Sequence, residues 1–483
     1  MTPAPEHVDV LVIGAGLSGI GAAARLAQEH PRRTCAVLEA REASGGTWDL
    51  FRYPGIRSDS DMYTMGYRFR PWRSNQALAA GPSILEYVRA TAREHGVDRL
   101  IRYRHRVTAA EWDSATARWT VSAQTPDGEV TLTAGFLWCC SGYYDYDQPY
   151  RPELPGVERF GGTVVHPQHW PEDLDTTGKR VVVIGSGATA VTLVPALADG
   201  GAAQVTMLQR SPTYVLSLPG TDPVAERVRK WLPERLSYWL VRWKNVALAV
   251  GSFQVSRRWP EVAKKVLRER AARRLPEGYP VDVHFRPTYD PWDQRLCMIP
   301  DGDLFRTVRE GTADIVTDTI DTFTEKGIRV SSGDELLADV VVTATGFNLK
   351  LLGDVALSVD GEPVDLRDRM AYRALMFSGV PNFAYTIGYT NASWTLKADL
   401  VADYVCRLLS HLDAHGHRSA VPVPDPTVGE APFMDFTPGY VLRSQHLLPK
   451  QGDREPWRLR QNYFHDVRSI RHSRIDDGVL RFR

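Results

Sequence analysis

Two strand–glycine turn–helix units about 170 residues apart, and a Trp- and Arg-rich helical stretch after the second, predict an α/β chain. The fold class they imply is two Rossmann-like dinucleotide-binding domains with a helical insertion in the second. The first unit runs from the apolar, β-rich residues 8–13 through Gly14-Ala15-Gly16-Leu17-Ser18-Gly19 into an Ala-rich helix over 20–28. A short apolar run, 35–38, follows and ends at Glu39. The second unit runs from a strand over 180–184 through Gly185-Ser186-Gly187-Ala188-Thr189-Ala190 into a helix over 191–198, then a strand over 205–208. Two more apolar strands end in small-residue turns at Gly142 and Gly346, and both are expected to exit beside a nucleotide.

This order assigns residues 1–150 to the first part of the first domain and 151–178 to a linker. Residues 179–215 and 281–335 form the second domain, interrupted by the helical insertion at 216–280. Residues 336–483 are read as the return to the first domain plus a C-terminal wrap, because 422–456 is Pro-rich and loop-like.

Composition narrows the function. In 483 residues, 43% are hydrophobic and 24% charged, which excludes disordered and fibrous classes. Lys plus Arg and Asp plus Glu both number 58, so nucleic acid is not an expected partner. The five cysteines form no CxxC pair, which argues against a disulfide framework, a zinc knuckle and a disulfide reductase; no metal is expected. The opening stretch has no basic segment followed by an apolar one, so no signal peptide is predicted and the expected location is cytoplasmic. Residues 236–253 are the most apolar stretch but contain Arg242, Lys244 and Asn245. They read as a buried or half-buried helix, with peripheral contact to a membrane or to apolar substrate as the alternative. Residues 257–274 hold eight basic and two acidic residues, a solvated face or a basic rim that draws in a phosphate-bearing cofactor.

A lone GxGxxG is weak evidence, matching by chance roughly 0.2 times in such a chain. Its place between strand and helix makes it specific. Gly14 permits the tight turn, Gly16 lets the backbone approach a pyrophosphate, and Gly19 lets helix and strand pack closely. The helix N-terminus offers N–H groups to phosphate, and Glu39 can accept ribose hydroxyls. In the second unit Ala190 replaces the third glycine and Gln209 stands where Glu39 stands in the first. Arg210 and Ser211 follow, and these suit a 2′-phosphate where a carboxylate would repel it. The two sites therefore read as FAD at the first turn and NADPH at the second, the reductant beside the flavin it reduces.

The segment between the units, Phe160-Gly-Gly162-Thr-Val-Val-His166-Pro-Gln-His-Trp170-Pro171, has the form FxGxxxHxxxW. With 15 Phe, 38 Gly, 13 His and 13 Trp in the chain, chance predicts roughly 0.001 matches. The segment resembles the fingerprint of type I Baeyer–Villiger monooxygenases, class B flavoprotein monooxygenases, and the resemblance is nearest to their ethionamide-activating branch. It extends over nearly the whole chain: Gly45 to Leu50, Arg52 to Asp59, Tyr289 to Cys297 and Asn391 to Lys397 look like the family's loops.

The resemblance implies an FAD- and NADPH-dependent enzyme that inserts one atom of O2 beside a ketone carbonyl to give an ester or lactone, via a C4a-peroxyflavin. Side oxygenation of sulfides or thioamides is implied too. Position by position, it makes Arg295 the catalytic cation and Asp59 the acid that orients it. It places Gly14, Gly16, Ser18, Gly19, Glu39, Gly46, Thr47, Trp48, Asp49, Leu50, Asp59 and Val107 around FAD. It places Arg57, Ser58, Gly185, Ser186, Gly187, Ala188, Thr189, Ala190, Arg210 and Ser211 around NADP. Phe160, Gly162, His166 and Trp170 would couple the domains. Two alternatives stand beside this reading: an N- or S-oxygenating flavin monooxygenase, and a flavin-binding protein without turnover.

Overall fold

Strand Glu6–Ile13 lies between Cys35–Leu38 and Gly128–Cys139, parallel to both. Val10 and Val12 face one apolar cluster and Leu11 and Ile13 the other, so both faces of the strand are covered. The computed structural model describes residues 5–434 and 436–483. Residues 1–4, part of the stretch read for a signal peptide, and residue 435 of the C-terminal wrap lie outside the described residues.

The first sheet continues through Ile101–Arg102 beyond Cys35–Leu38. On the other side come Arg118–Thr125, Arg106–Asp113 and Ala356–Val359. Helices Leu17–Glu29 and Trp394–His415 pack together over one face. The second sheet is wholly parallel, in the order Ala313–Thr317, Gln204–Gln209, Arg180–Ile184, Val340–Thr343, Thr163–Val165. The five cysteines are free, and four of them are buried.

Two expected segment assignments are corrected here. Val340–Thr343 does not open the return to the first sheet: it pairs with Arg180–Ile184 and with Thr163–Val165 inside the second. Its run of valines, wholly buried, is what a central parallel strand requires. The return begins at Ala356–Val359, beside Arg106–Asp113. The expected linker, for its part, contributes Thr163–Val165 as an edge strand of the second sheet.

The fingerprint segment packs around that edge. A Cβ on Gly162 would lie 2.5 Å from the Asp339 carbonyl oxygen, so only glycine fits there. Phe160 sets its ring edge-on to Phe323, and Trp170 is half-buried against the core of the second sheet. His166 Nδ1 accepts from the Gln168 N–H at 3.1 Å. The Gln168 side chain donates to the carbonyls of Asp145 and Tyr146, just past the end of the first sheet's Gly128–Cys139. The segment thus ties the two sheets together.

Strands Val215–Leu218 and Cys297–Pro300 pair in parallel and bracket the insertion. Its first helix, Pro223–Arg229, is capped by Asp222, which accepts from the N–H groups of Val224 and Ala225. Helix Glu234–Arg258 crosses onto Met62–Met65 of the first unit. It is held there by Arg242, whose side chain is 5% exposed and pairs with Asp399, 7% exposed, at 2.9 Å. Arg242 also donates to the carbonyls of Tyr63 and Gly66 at 2.8 and 2.6 Å. A charge this deep is tolerable only because nearly every donor has an acceptor.

Arg242→Met should therefore cost about 3–5 kcal/mol by stranding the Asp399 carboxylate, read as a lower unfolding midpoint; adding Asp399→Leu should recover part of it. Burial also holds the His166 imidazole down to about 4 from its ordinary 6.5. The folded protein thus resists a proton that the unfolded chain takes up. Its contribution is fully present above pH 6.5 and is lost as pH falls from 6.5 toward about 4. In a pH series of thermal unfolding, His166→Gln should flatten that part of the profile.

Candidate active site

Both glycine turns open into one cavity of about 1000 Å³, at the carboxyl ends of the strands. That is the upper end of the range of roughly 300–1,000 Å³ for ordinary small-molecule sites. At the first turn Gly14 has φ +98°, and a Cβ would lie 2.7 Å from the Cys140 carbonyl oxygen. A Cβ on Gly19 would lie 1.8 Å from the Gly14 carbonyl, which is the close packing of helix on strand. Gly16 faces Gly46 across a bare backbone cradle. Helix Leu17–Glu29 starts with no side-chain cap, leaving its first N–H groups for a ligand.

Glu39 sits beside this turn and lines the cavity. Its two oxygens accept from the N–H groups of Ala15 and Arg41 at 2.7 and 2.9 Å. Burial pushes its pKa up, against the pull of those two hydrogen bonds. A carboxylate has about four acceptor positions, so capacity remains on the cavity side for two ribose hydroxyls. Val107, Ser18, Thr47, Trp48 and Leu50 also line the wall.

At the second turn Gly185 has φ +133°, with the Ala344 carbonyl 2.3 Å from where a Cβ would sit. Helix Ala188–Asp199 again begins uncapped, and a Cβ on Gly187 would meet nothing within 4 Å. Gln209 turns inward, donating to His284 O and Thr317 Oγ1 at 2.9 and 2.8 Å. Arg210 and Ser211 are exposed and face the cavity, and Arg210 forms no ion pair among the described residues. A carboxylate with spare acceptors at one turn and an unpaired guanidinium at the other fit FAD and NADP respectively.

Arg295 and Asp59 lie on the same wall, near the glycine turns. Arg295 Nε and one terminal nitrogen donate to the two Asp59 oxygens, both at 2.8 Å; the other terminal nitrogen donates to the Thr390 carbonyl at 3.2 Å. Each side chain is about one-third exposed. Burial works to lower the Arg295 pKa, but the charge and hydrogen bonds of Asp59 outweigh it, so the guanidinium ends above its ordinary value.

Several sequence-predicted residues are not on the cavity wall. Gly19 and Ala190 lie beneath the turns as packing positions. Asp49 is buried between Arg41 and Arg89, at 2.7 and 2.6 Å. Arg57 is paired with Asp303. Phe160, Gly162, His166 and Trp170 are also away from the wall, although Phe347, against which the His166 ring packs, does line it. Residues 257–274 contribute no cavity residue: Arg257, Lys264 and Arg268 pair with Asp293, Asp290 and Asp282 at the surface. The stretch therefore stands outside the cavity wall.

The sequence reasoning missed a tyrosine group. Tyr143, Tyr144 and Tyr440 line the cavity near Arg295, with Tyr143 donating to Tyr144 at 3.2 Å. Tyr143 stacks on Trp394, whose indole N–H donates to Ser18 Oγ at 2.7 Å. The signal was available for two of them: Tyr143 and Tyr144 directly follow the strand exit at Gly142. Tyr440 arrives from the distant C-terminal segment and carries no local signal.

Comparison with known proteins agrees with this geometry. A family model described as flavin-binding monooxygenase-like matches residues 73–245, and one for an NAD(P)-binding Rossmann-like domain matches residues 12–74. The FAD-containing monooxygenase EthA of Mycobacterium tuberculosis is 57% identical over 478 residues, covering 99% of this chain and 98% of that protein. The probable FAD-binding monooxygenase AlmA of Acinetobacter baylyi is 47% identical, covering 99% and 96%. Among solved structures, an oxidized steroid monooxygenase bound to NADP aligns with a TM-score of 0.73 at 25% identity, covering 86% of this chain and 88% of that one. An open cyclohexanone monooxygenase shares the fold, with a TM-score of 0.73 at 21% identity over 87% and 90%. With two dinucleotide turns opening onto one cavity and relatives of this identity along its whole length, the chain belongs to the FAD-containing monooxygenases.

Proposed function

We propose that the chain is an NADPH-dependent Baeyer–Villiger monooxygenase that converts a ketone to an ester or lactone, with sulfides or thioamides as secondary substrates. The observation that carries this reading is the Arg295–Asp59 pair on the wall of the cavity shared by the two glycine turns. Bound FAD, reduced by bound NADPH, supplies an activated oxygen atom from O2 at this site.

The rest of the chemistry falls to the protein. Glu39 would hold the flavin-side ribose, and Arg210 with Ser211 the 2′-phosphate of NADP. Arg295 stabilises the negative charge that develops on the carbonyl oxygen when the substrate carbon is attacked. Arginine suits this better than lysine because it stays protonated and presents a fixed fork of donors. Asp59 holds that fork by two hydrogen bonds, so the cation is positioned before substrate arrives. The tyrosines beside it form part of the same wall.

Arg295→Ala should lower ester formation about 10²–10³-fold, the usual loss for one charge-stabilising donor, while flavin absorbance of the purified protein is retained. Ester formation at the wild-type rate would remove the assigned role. Arg210→Ala should narrow the preference for NADPH over NADH by about tenfold or more, read from kcat/KM for the two nucleotides. A ketone and sulfide panel, with product mass and NADPH consumption followed together, separates this reading from an enzyme that oxidises only sulfur or nitrogen, and from a protein without turnover.

A further inference from the structure

Three consecutive residues ahead of helix Trp394–His415 are held by one short stretch of the C-terminal wrap. The Tyr389 hydroxyl donates to Asp466 Oδ2 at 2.7 Å. The Thr390 N–H donates to the side-chain oxygen of Gln461 at 3.2 Å, and the Asn391 side-chain amide donates to the Gln461 backbone carbonyl at 2.8 Å. The middle residue of the three, Thr390, is the one whose own carbonyl accepts from Arg295 Nη1 at 3.2 Å. Among the described residues that carbonyl is the sole hydrogen-bond partner of Nη1, while Nε and Nη2 are the nitrogens bound to Asp59. A guanidinium is a rigid planar fork. Held by Asp59 along one edge and by Thr390 at the opposite corner, it is fixed in rotation as well as in place.

The stretch that does the holding is itself anchored. Asp466 is buried and pairs at 2.7 Å with Lys397, also buried. Asn462 caps the short helix Tyr463–Asp466 by accepting from the His465 N–H. Gln461 opens the stretch with φ +49°. Asparagine adopts this left-handed backbone more readily than glutamine does, but its amide is one methylene shorter. Strain of this kind persists where the surroundings demand it, and it gathers at functional sites. A second point of the wrap reaches the other side of Arg295. There the Thr437 N–H and hydroxyl both donate at 2.9 Å to the carbonyl of Asp293, two residues before the cation.

We propose that Gln461 is a positioning residue for Arg295: its hydrogen bond to Thr390 fixes the carbonyl that orients the guanidinium toward the reacting centre. This assignment rests on the reaction proposed above. Gln461 is not on the wall of the large cavity, so it acts on substrate only through Arg295. A misplacement of about 1 Å in a reacting geometry can cost on the order of 10²-fold in rate.

The test uses the holoenzyme with cyclohexanone, phenylacetone and methyl nonyl ketone, and follows ester or lactone by mass with the best of the three. Gln461→Asn should keep its flavin content and unfold at the wild-type midpoint or above it, because the backbone strain is eased. Its kcat should nonetheless fall about tenfold, with kcat/KM falling by the same factor, the pattern of an interaction realised in the transition state. Gln461→Ala, which lacks the acceptor altogether, should lose at least as much. In an Arg295→Ala background either substitution should cost less than about twofold further, since the group it positions is gone. The assignment is overturned if Gln461→Asn keeps the wild-type kcat, if activity falls only in step with flavin content or unfolding midpoint, or if the Gln461 losses recur in full without Arg295. If the wild type oxygenates none of the three ketones, the reaction reading fails and the assignment falls with it. Wild-type turnover together with any of the other three outcomes overturns the assignment alone.

Discussion

Two donors of Arg295 meet the two oxygens of Asp59 at 2.8 Å, although the residues stand 236 positions apart in the chain. Asp59 follows the first glycine unit, and Arg295 follows the helical insertion of the second. The loops of the two nucleotide units converge at this ion pair, on the wall of the cavity into which both glycine turns open. Everything around it fixes the two ends. The Arg57–Asp303 pair holds the chain two residues before Asp59. The strand Cys297–Pro300, paired with Val215–Leu218, holds the chain two residues after Arg295. The Thr390 carbonyl, just ahead of helix Trp394–His415, takes a third hydrogen bond. The pair is partly open to the cavity.

The helical insertion serves the same convergence from outside. It leaves the second sheet, crosses to the first unit and is locked there by Arg242, which reaches Asp399 and the backbone of the segment after Asp59. This buried, multiply bonded cation fixes the place of the helix beside the apolar contacts of Tyr238, Val241 and Val246.

What was legible in the sequence was mostly local. The glycine turns are written in contiguous residues because backbone strain and close approach are local demands: φ +98° at Gly14 and +133° at Gly185 call for glycine wherever they occur. The change from Glu39 to Gln209 and Arg210 was equally readable, since it is a difference of charge at matching strand ends. The boundary near residue 336 failed for the opposite reason. An apolar strand does not state which sheet it joins, and Val340–Thr343 is settled only by its register against Arg180–Ile184 and Thr163–Val165. Asp49 was placed on the cofactor side by motif alone, but its carboxylate is taken up by Arg41 and Arg89. Tyr440 joins the site by a return of the chain that no periodicity marks.

The sulfur chemistry of the chain follows from where its thiols lie. Cys140 and Cys297 border the cavity shared by the two glycine turns, and Cys139 is buried close by. Burial pushes the Cys297 thiol up to about 12, reinforced by the Asp59 charge, and it raises Cys140 and Cys139 as well. Oxidants attack the thiolate, which is scarce at such values near neutrality. Burial thus holds these three thiols in the protonated form, in which a cysteine sulfur is a poor target for oxidants.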